Sequence, residues 1–236
     1  TGKGFGFSRD GCHAQYVVVP AAAVVAMPES LSFAQAATCG VPFITAWDAL
    51  ERSQVQAGTR LLIIGAGAVA QAAQALSKAR GANVVLATRR AEVAQALQAK
   101  GVSAFQLPEA EQLPDQARSY FQQHAPQVIF DTTGYWLSAA VNSVDAFGRV
   151  AVIAAPVDGL VSMSALNLYR RGGSIIGVNS LLYSLEDCAR MLARIGAAFA
   201  GGIAVTEDFI ERPLSEAVAA YHQVNAGSSE KIVLIP

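Results

Sequence analysis

The chain has 236 residues, 53% hydrophobic and 15% charged, enough apolar mass to bury the core of one large domain or one and a half. Its 17 Lys and Arg nearly balance 18 Asp and Glu without forming a basic stripe, which argues against a nucleic-acid partner. The longest apolar stretch, residues 17–27, is broken by Pro20 and is too short to span a bilayer, so no membrane partner is expected.

Three scattered cysteines and no secretory pattern at the start of the sequence predict a reducing, cytoplasmic setting. In chain order, residues 13–27 predict β structure punctuated by proline. Adjacent Cys12 and His13 would point to different sides of such a strand, giving a packed thiol and a surface imidazole.

From about residue 59 short apolar runs alternate with helical periods. The runs are 60–65, 83–88, 102–107, 127–132, 149–155 and 174–178, continuous rather than alternating, as in strands covered on both faces. Between them Val69, Ala72, Ala73 and Leu76 mark one helix ending at Gly81. Val93, Ala96, Leu97 and Lys100 mark a second ending at Gly101. The pattern predicts an α/β fold, a Rossmann doubly wound parallel sheet of about six strands. Its strand-to-helix turns would share the carboxyl edge, where such sheets bind ligands. Residues 184–236 predict two helices, a strand within TEDFIERP and a closing KIVLI strand. Cys188 lies on an apolar helical face with Met191, Leu192 and Ile195, whereas His124 and His222 read as solvated rings.

The first turn is Gly65-Ala66-Gly67-Ala68-Val69-Ala70, of the form G-x-G-x-x-A. Gly65 permits the tight bend, Gly67 lets the backbone approach a pyrophosphate, and the helix start offers unpaired N–H groups. The second strand ends at Thr88-Arg89-Arg90, about twenty residues on, where many dinucleotide sites carry an acid for a ribose 2′-hydroxyl. Guanidinium forks suit a 2′-phosphate instead, so the cofactor predicted is NADP(H). The alternative is a solvated pair at a helix start, which faces the helix dipole unfavourably unless an anion is near.

Together with these motifs, the Gln15-Tyr16-Val17-Val18 stretch, the turn from Pro28 to Leu31, Thr45-Ala46-Trp47, VIFDTTG and Lys231-Ile232-Val233-Leu234 resemble the medium-chain dehydrogenase/reductase superfamily, in its zinc-independent, quinone-oxidoreductase-like branch. The resemblance implies that Thr1 enters a barrel-like, GroES-type substrate domain partway, with most of that domain absent. It divides the chain into a remnant at 1–45, an NADP(H)-binding Rossmann domain at 46–181 and a return to the substrate domain at 182–236. It further implies Thr45 beside the nicotinamide, a pyrophosphate cradle of Gly65, Gly67, Ala68 and Val69, and an adenosine-side loop at Asp131-Thr132-Thr133-Gly134. Ile153 and Ala154, with Val178 and Asn179, would serve the nicotinamide end. Lys231 resembles the basic residue of a closing Gly-Lys motif, with Glu230 in place of the glycine.

Zinc-dependent relatives need a Cys, His and acid or Cys set around an open position. The later family cysteine would fall four residues before Thr45, where this chain has Val41. Cys39 is two residues away, and no metal is expected. Together with the double arginine, the resemblance implies an NADPH-dependent reductase of a small quinone, enone or aldehyde, acting as a homodimer joined through the sixth strand, with no catalytic side chain assigned. Tyr183 could donate a proton but reads better as packing. A non-catalytic NADP(H)-binding module or redox sensor and a zinc alcohol dehydrogenase remain the alternatives.

Overall fold

A computed structural model describes residues 4–6, 8–203, 205, 208–228 and 230–236. The chain divides into two compact units, one of Thr45–Asn179 and one combining the stretch up to Ile44 with Ser180–Pro236.

The Thr45–Asn179 unit is built on six parallel strands: β1 (Arg60–Ile64), β2 (Asn83–Thr88), β3 (Ala104–Gln106), β4 (Val128–Asp131), β5 (Arg149–Val152) and β6 (Ser174–Gly177). Their order is β3-β2-β1-β4-β5-β6, and the expected α/β doubly wound sheet is therefore present. In β1, Leu61, Leu62 and Ile63 are fully buried and Ile64 nearly so. Both pleat directions are covered, which is why the run carries no alternation. One face packs Leu62, Ile64, Val85 and Ile129 against Leu113, Ala117, Ala140 and Val141.

The intervening helices are α2 (Ala68–Ala79), α3 (Ala91–Ala99), α4 (Leu113–Tyr120), α5 (Leu137–Ser143) and α6 (Ala165–Arg170), preceded by α1 (Phe33–Arg52), whose last eight residues belong to this unit. α2 buries Ala72, Ala73 and Leu76 of the expected stripe, together with Ala70, while Val69 is only half-buried. It closes with Ala82 N–H donating to Ser77 O at 3.0 Å and Gly81 N–H to Lys78 O at 3.0 Å. This paired closure satisfies two terminal carbonyls. α3 departs from expectation: Ala94 is its buried residue, Val93 and Leu97 are half-buried, and Ala96 and Lys100 are exposed. A nine-residue helix needs only a narrow stripe, and that stripe lies to the other side of Val93 and Leu97.

In the other unit, α1 starts with a reciprocal cap. Gln35 N–H donates to Ser32 Oγ at 3.1 Å, and Ser32 N–H donates to Gln35 Oε1 at 2.9 Å. α7 (Leu185–Ala200) buries Cys188 and Ile195, as the apolar stripe predicts. β7 (Ile210–Pro213) pairs in parallel with β8 (Ile232–Ile235), with α8 (Ala217–Asn225) between them. Thr206 and Glu207 of the expected TEDFIERP strand, and Thr1, lie outside the described residues.

The β expectation for residues 13–27 is not met: they contain a single 3-10 turn, Ala21–Ala23, and no strand. An apolar β-branched run becomes a strand only when a partner edge takes up its N–H and C=O groups. Here Tyr16 and Val18 are more than nine-tenths exposed. Cys12 is likewise exposed rather than packed, while His13 is a surface ring whose Nδ1 lies 3.0 Å from Tyr221 Oη.

Candidate cofactor site

The strand registers set one row of residues across the sheet. Ala87 pairs with Ile64, Ile64 with Asp131, Asp131 with Val152 and Val152 with Gly177. One residue farther along each strand stand Thr88, Gly65, Thr132, Ile153 and Val178, so the carboxyl edge brings five expected site residues onto a single line. Four interstrand steps of about 4.8 Å make that line about 19 Å long, the reach of an extended ligand rather than of a small anion.

At its centre the glycine turn is held from both sides. Gly65 N–H donates to Ala87 O at 2.8 Å, and Thr132 donates to Ile64 O through N–H at 3.0 Å and Oγ1 at 2.8 Å. Gly65 has φ +121°, and a Cβ there would stand 2.1 Å from Thr132 Oγ1. Gly67 differs: its φ of −74° suits any residue, and a Cβ would meet nothing within 4 Å. The space in front of Gly67 is open, as a backbone cradle requires. Gly67, Ala68 and Val69 N–H groups have no acceptor among the described residues, and α2 adds the partial positive charge of its amino end. Ala70 is fully buried, so the helix lies close to the strand.

At the end of β2, Thr88 is buried while Arg89 and Arg90 are exposed. Arg89 makes no side-chain hydrogen bond or ion pair among the described residues; its carbonyl accepts from Gln106 Nε2 at 3.3 Å. Arg90 differs, because Glu92 in the first turn of α3 lies 3.7 Å from its Nε. Both side chains are about two-thirds exposed, so this pair is worth little, but it supplies the anion that a solvated pair would need. No carboxylate stands at the end of β2 itself.

Asp131 has a role that motif reading missed. Its fully buried carboxylate accepts from Thr133 N at 2.9 Å, Thr133 Oγ1 at 2.8 Å, Gly134 N at 3.1 Å and Trp136 N at 2.8 Å. The acid is committed to shaping its own loop and presenting Thr132. The spacing Asp-x-x-Gly was the available signal, since an Asp capping its own following amides is a common turn device. That loop presses on the next: a Cβ on Gly134 would be 2.5 Å from Ala154 C. Ile153 is half-buried and Ala154 exposed, while Val178 is buried, with its N–H bonded to Val152 O at 2.9 Å, and Asn179 is exposed.

Thr45 lies on α1 and is buried. The segment carrying it is fixed within the same unit: the Arg80 guanidinium sits 4.6 Å above the Trp47 ring, with Nη2 2.8 Å from Glu51 Oε1. Arg52 Nη1 donates to Gly177 O at 2.7 Å, tying α1 to the last residue of β6. Lys231 belongs to the other unit. Burial pushes its ammonium below the ordinary lysine range, opposed by the Asp208 carboxylate and by Cys39.

Among the described residues neither Cys39 nor the neighbourhood of Val41 assembles a zinc donor set. Cys39 is buried and bonds through Sγ to Gln35 O at 3.3 Å, and burial pushes its thiol up to about 11. Val41 is half-exposed on the same helix. Among the described residues no group of three or more His, Cys, Asp or Glu could hold an ion, and no helix is long and apolar enough to cross a membrane.

Residues 68–197 match the profile of the zinc-binding dehydrogenase family. The chain is 30% identical over 242 residues to a zinc-type alcohol dehydrogenase-like protein of Schizosaccharomyces pombe, covering 99% of the chain and 70% of that relative. It is 27% identical over 232 residues to human quinone oxidoreductase, covering 95% of the chain and 69% of that protein. Among solved structures, an NAD-dependent alcohol dehydrogenase superposes with a TM-score of 0.83 at 23% identity, over 98% of this chain and 67% of that one. A mycobacterial protein complexed with NADPH does so with 0.78 at 21% identity, over 96% and 72%. The fold thus occurs with either nicotinamide dinucleotide.

Proposed function

The chain belongs to the medium-chain dehydrogenase/reductase superfamily of oxidoreductases, and from that premise we propose that it binds NADP(H) and reduces a small quinone, enone or aldehyde without a metal. The observation that carries the reading is the open glycine turn, whose three N–H groups have no acceptor among the described residues, with Arg89, free of ion pairs among those residues, at the end of the neighbouring strand. The residues fit the group. Gly65, Gly67, Ala68 and Val69 would cradle the pyrophosphate, and Thr88, Arg89 and Arg90 the 2′-phosphate. Thr132 would border the adenosine side, and Thr45, Ile153, Ala154, Val178 and Asn179 would serve the nicotinamide end.

When bound, NADPH supplies a hydride. The chain's own task is to hold the dinucleotide extended along the carboxyl edge and to keep water from its reactive end. Partnerless amides favour a dianionic bridge because the donors are already oriented and lose no protein hydrogen bond on binding. Guanidinium at the end of β2 favours the phosphorylated ribose, since a 2′-hydroxyl gains little from a cation that cannot accept its proton.

The partner proposed is a second copy of the chain. β6 is the last strand of its sheet, and Val157, Leu160 and Tyr169 in the same unit are strongly exposed. The molar mass in solution should be twice that of the chain.

Turnover is tested by mixing the protein with NADPH and a panel of quinones, enones and aldehydes, and following loss of dihydronicotinamide absorbance. Substrate-dependent oxidation supports the reductase. Tight NADPH binding with no oxidation above background supports a binding module that does not turn over.

A further inference from the structure

Gln71 lies on the exposed side of α2, and its side chain folds back over the first helical turn. Its Nε2 donates to the carbonyl of Ala66 at 2.9 Å. No backbone N–H among the described residues donates to that carbonyl. We propose that Gln71 is a positioning residue that fixes the plane of the Ala66–Gly67 peptide and so decides where the Gly67 N–H points. This deepens, and rests on, the dinucleotide reading above.

The argument is geometric. In a trans peptide the C=O and N–H point in opposite directions. A donor that holds the Ala66 carbonyl toward Gln71 therefore turns the Gly67 N–H the other way. That N–H has no protein acceptor, and the space about the Gly67 Cβ position is empty to 4 Å. A residue without a Cβ leaves this peptide free to rotate as a unit. Without Gln71, no hydrogen bond among the described residues holds either end of that peptide. The sense of the bond is fixed as well: a carbonyl can only accept, so the amide NH2 of Gln71 faces it.

The test is Gln71→Leu, which keeps the bulk and removes the donor. Affinities are measured for NADPH, NADH and 2′-AMP, the last carrying the phosphorylated ribose but no pyrophosphate. Loss of one oriented donor should weaken NADPH and NADH together by about three- to tenfold. The affinity for 2′-AMP should stay within about twofold, and the melting temperature should be unchanged because the side chain is exposed. Unchanged dinucleotide affinity overturns the proposal, as does a 2′-AMP affinity that falls in step. A parent protein that binds neither dinucleotide defeats the cofactor reading instead. A ligand-free crystal structure of Gln71→Leu then still decides the point: a 66–67 peptide rotated from its present plane supports the proposal, and an unchanged plane overturns it.

Discussion

The two glycines of the turn make a paired prediction, because they serve different purposes. Gly65→Ala places a side chain at φ +121°, a conformation that costs an L-residue about 1–3 kcal/mol. The new Cβ would stand 2.1 Å from Thr132 Oγ1, so Thr132 must move and give up its bond to Ile64 O, at a further cost of about 1 kcal/mol. The sum, about 2–4 kcal/mol, corresponds to a loss of about 5–15 °C in melting temperature for a chain of this size. Gly67→Ala meets no atom within 4 Å at an ordinary φ of −74°, so its stability should stay within about 0.5 kcal/mol of the parent. Its methyl group occupies the space left for a pyrophosphate, and NADPH and NADH should both bind at least about tenfold more weakly. Urea unfolding with fluorescence titration of both nucleotides separates the two effects. Equal destabilisation by the two substitutions, or a Gly67→Ala protein that binds nucleotide like the parent, would refute the reasoning.

Asp131→Asn should lower stability by about 1–3 kcal/mol in urea unfolding, because an amide NH2 would then face one of the N–H groups that the buried carboxylate now accepts. Iodoacetamide should label exposed Cys12 in the native protein, and buried Cys39 and Cys188 only after unfolding. The fold raises the Cys39 thiol from 9.0 to about 11, so the unfolded chain loses that proton first. The contribution is whole below pH 9 and is lost as pH rises toward 11. Stability should therefore fall through this window, and Cys39→Ala should flatten part of the decline.

The sheet was legible because its central strands, β1 and β4, are buried on both faces, which forces continuous apolar runs such as Leu61–Ile64. Their ends were less so. The apolar run at 149–155 leaves the sheet after Val152, and apolar character alone does not mark where strand pairing stops. Residues 13–27 misled for the converse reason: β-branched composition states a preference, and pairing decides the outcome. The glycine turn was legible because the φ of +121° at Gly65 admits few residues other than glycine. The role of Asp131 was overlooked although the Asp-x-x-Gly spacing offered it, whereas the bond from Gln71 to the Ala66 carbonyl is one that no motif displays.

The most direct test is the ratio of NADPH to NADH affinity, measured by titration for the parent and for the Arg89→Ala/Arg90→Ala protein. The parent should bind NADPH at least about tenfold more tightly. The double substitution should weaken NADPH by about 10- to 100-fold and NADH by less than about twofold, as expected for charge-assisted hydrogen bonds to one extra phosphate. Equal affinities in the parent, or equal losses for both nucleotides in the variant, would contradict the account.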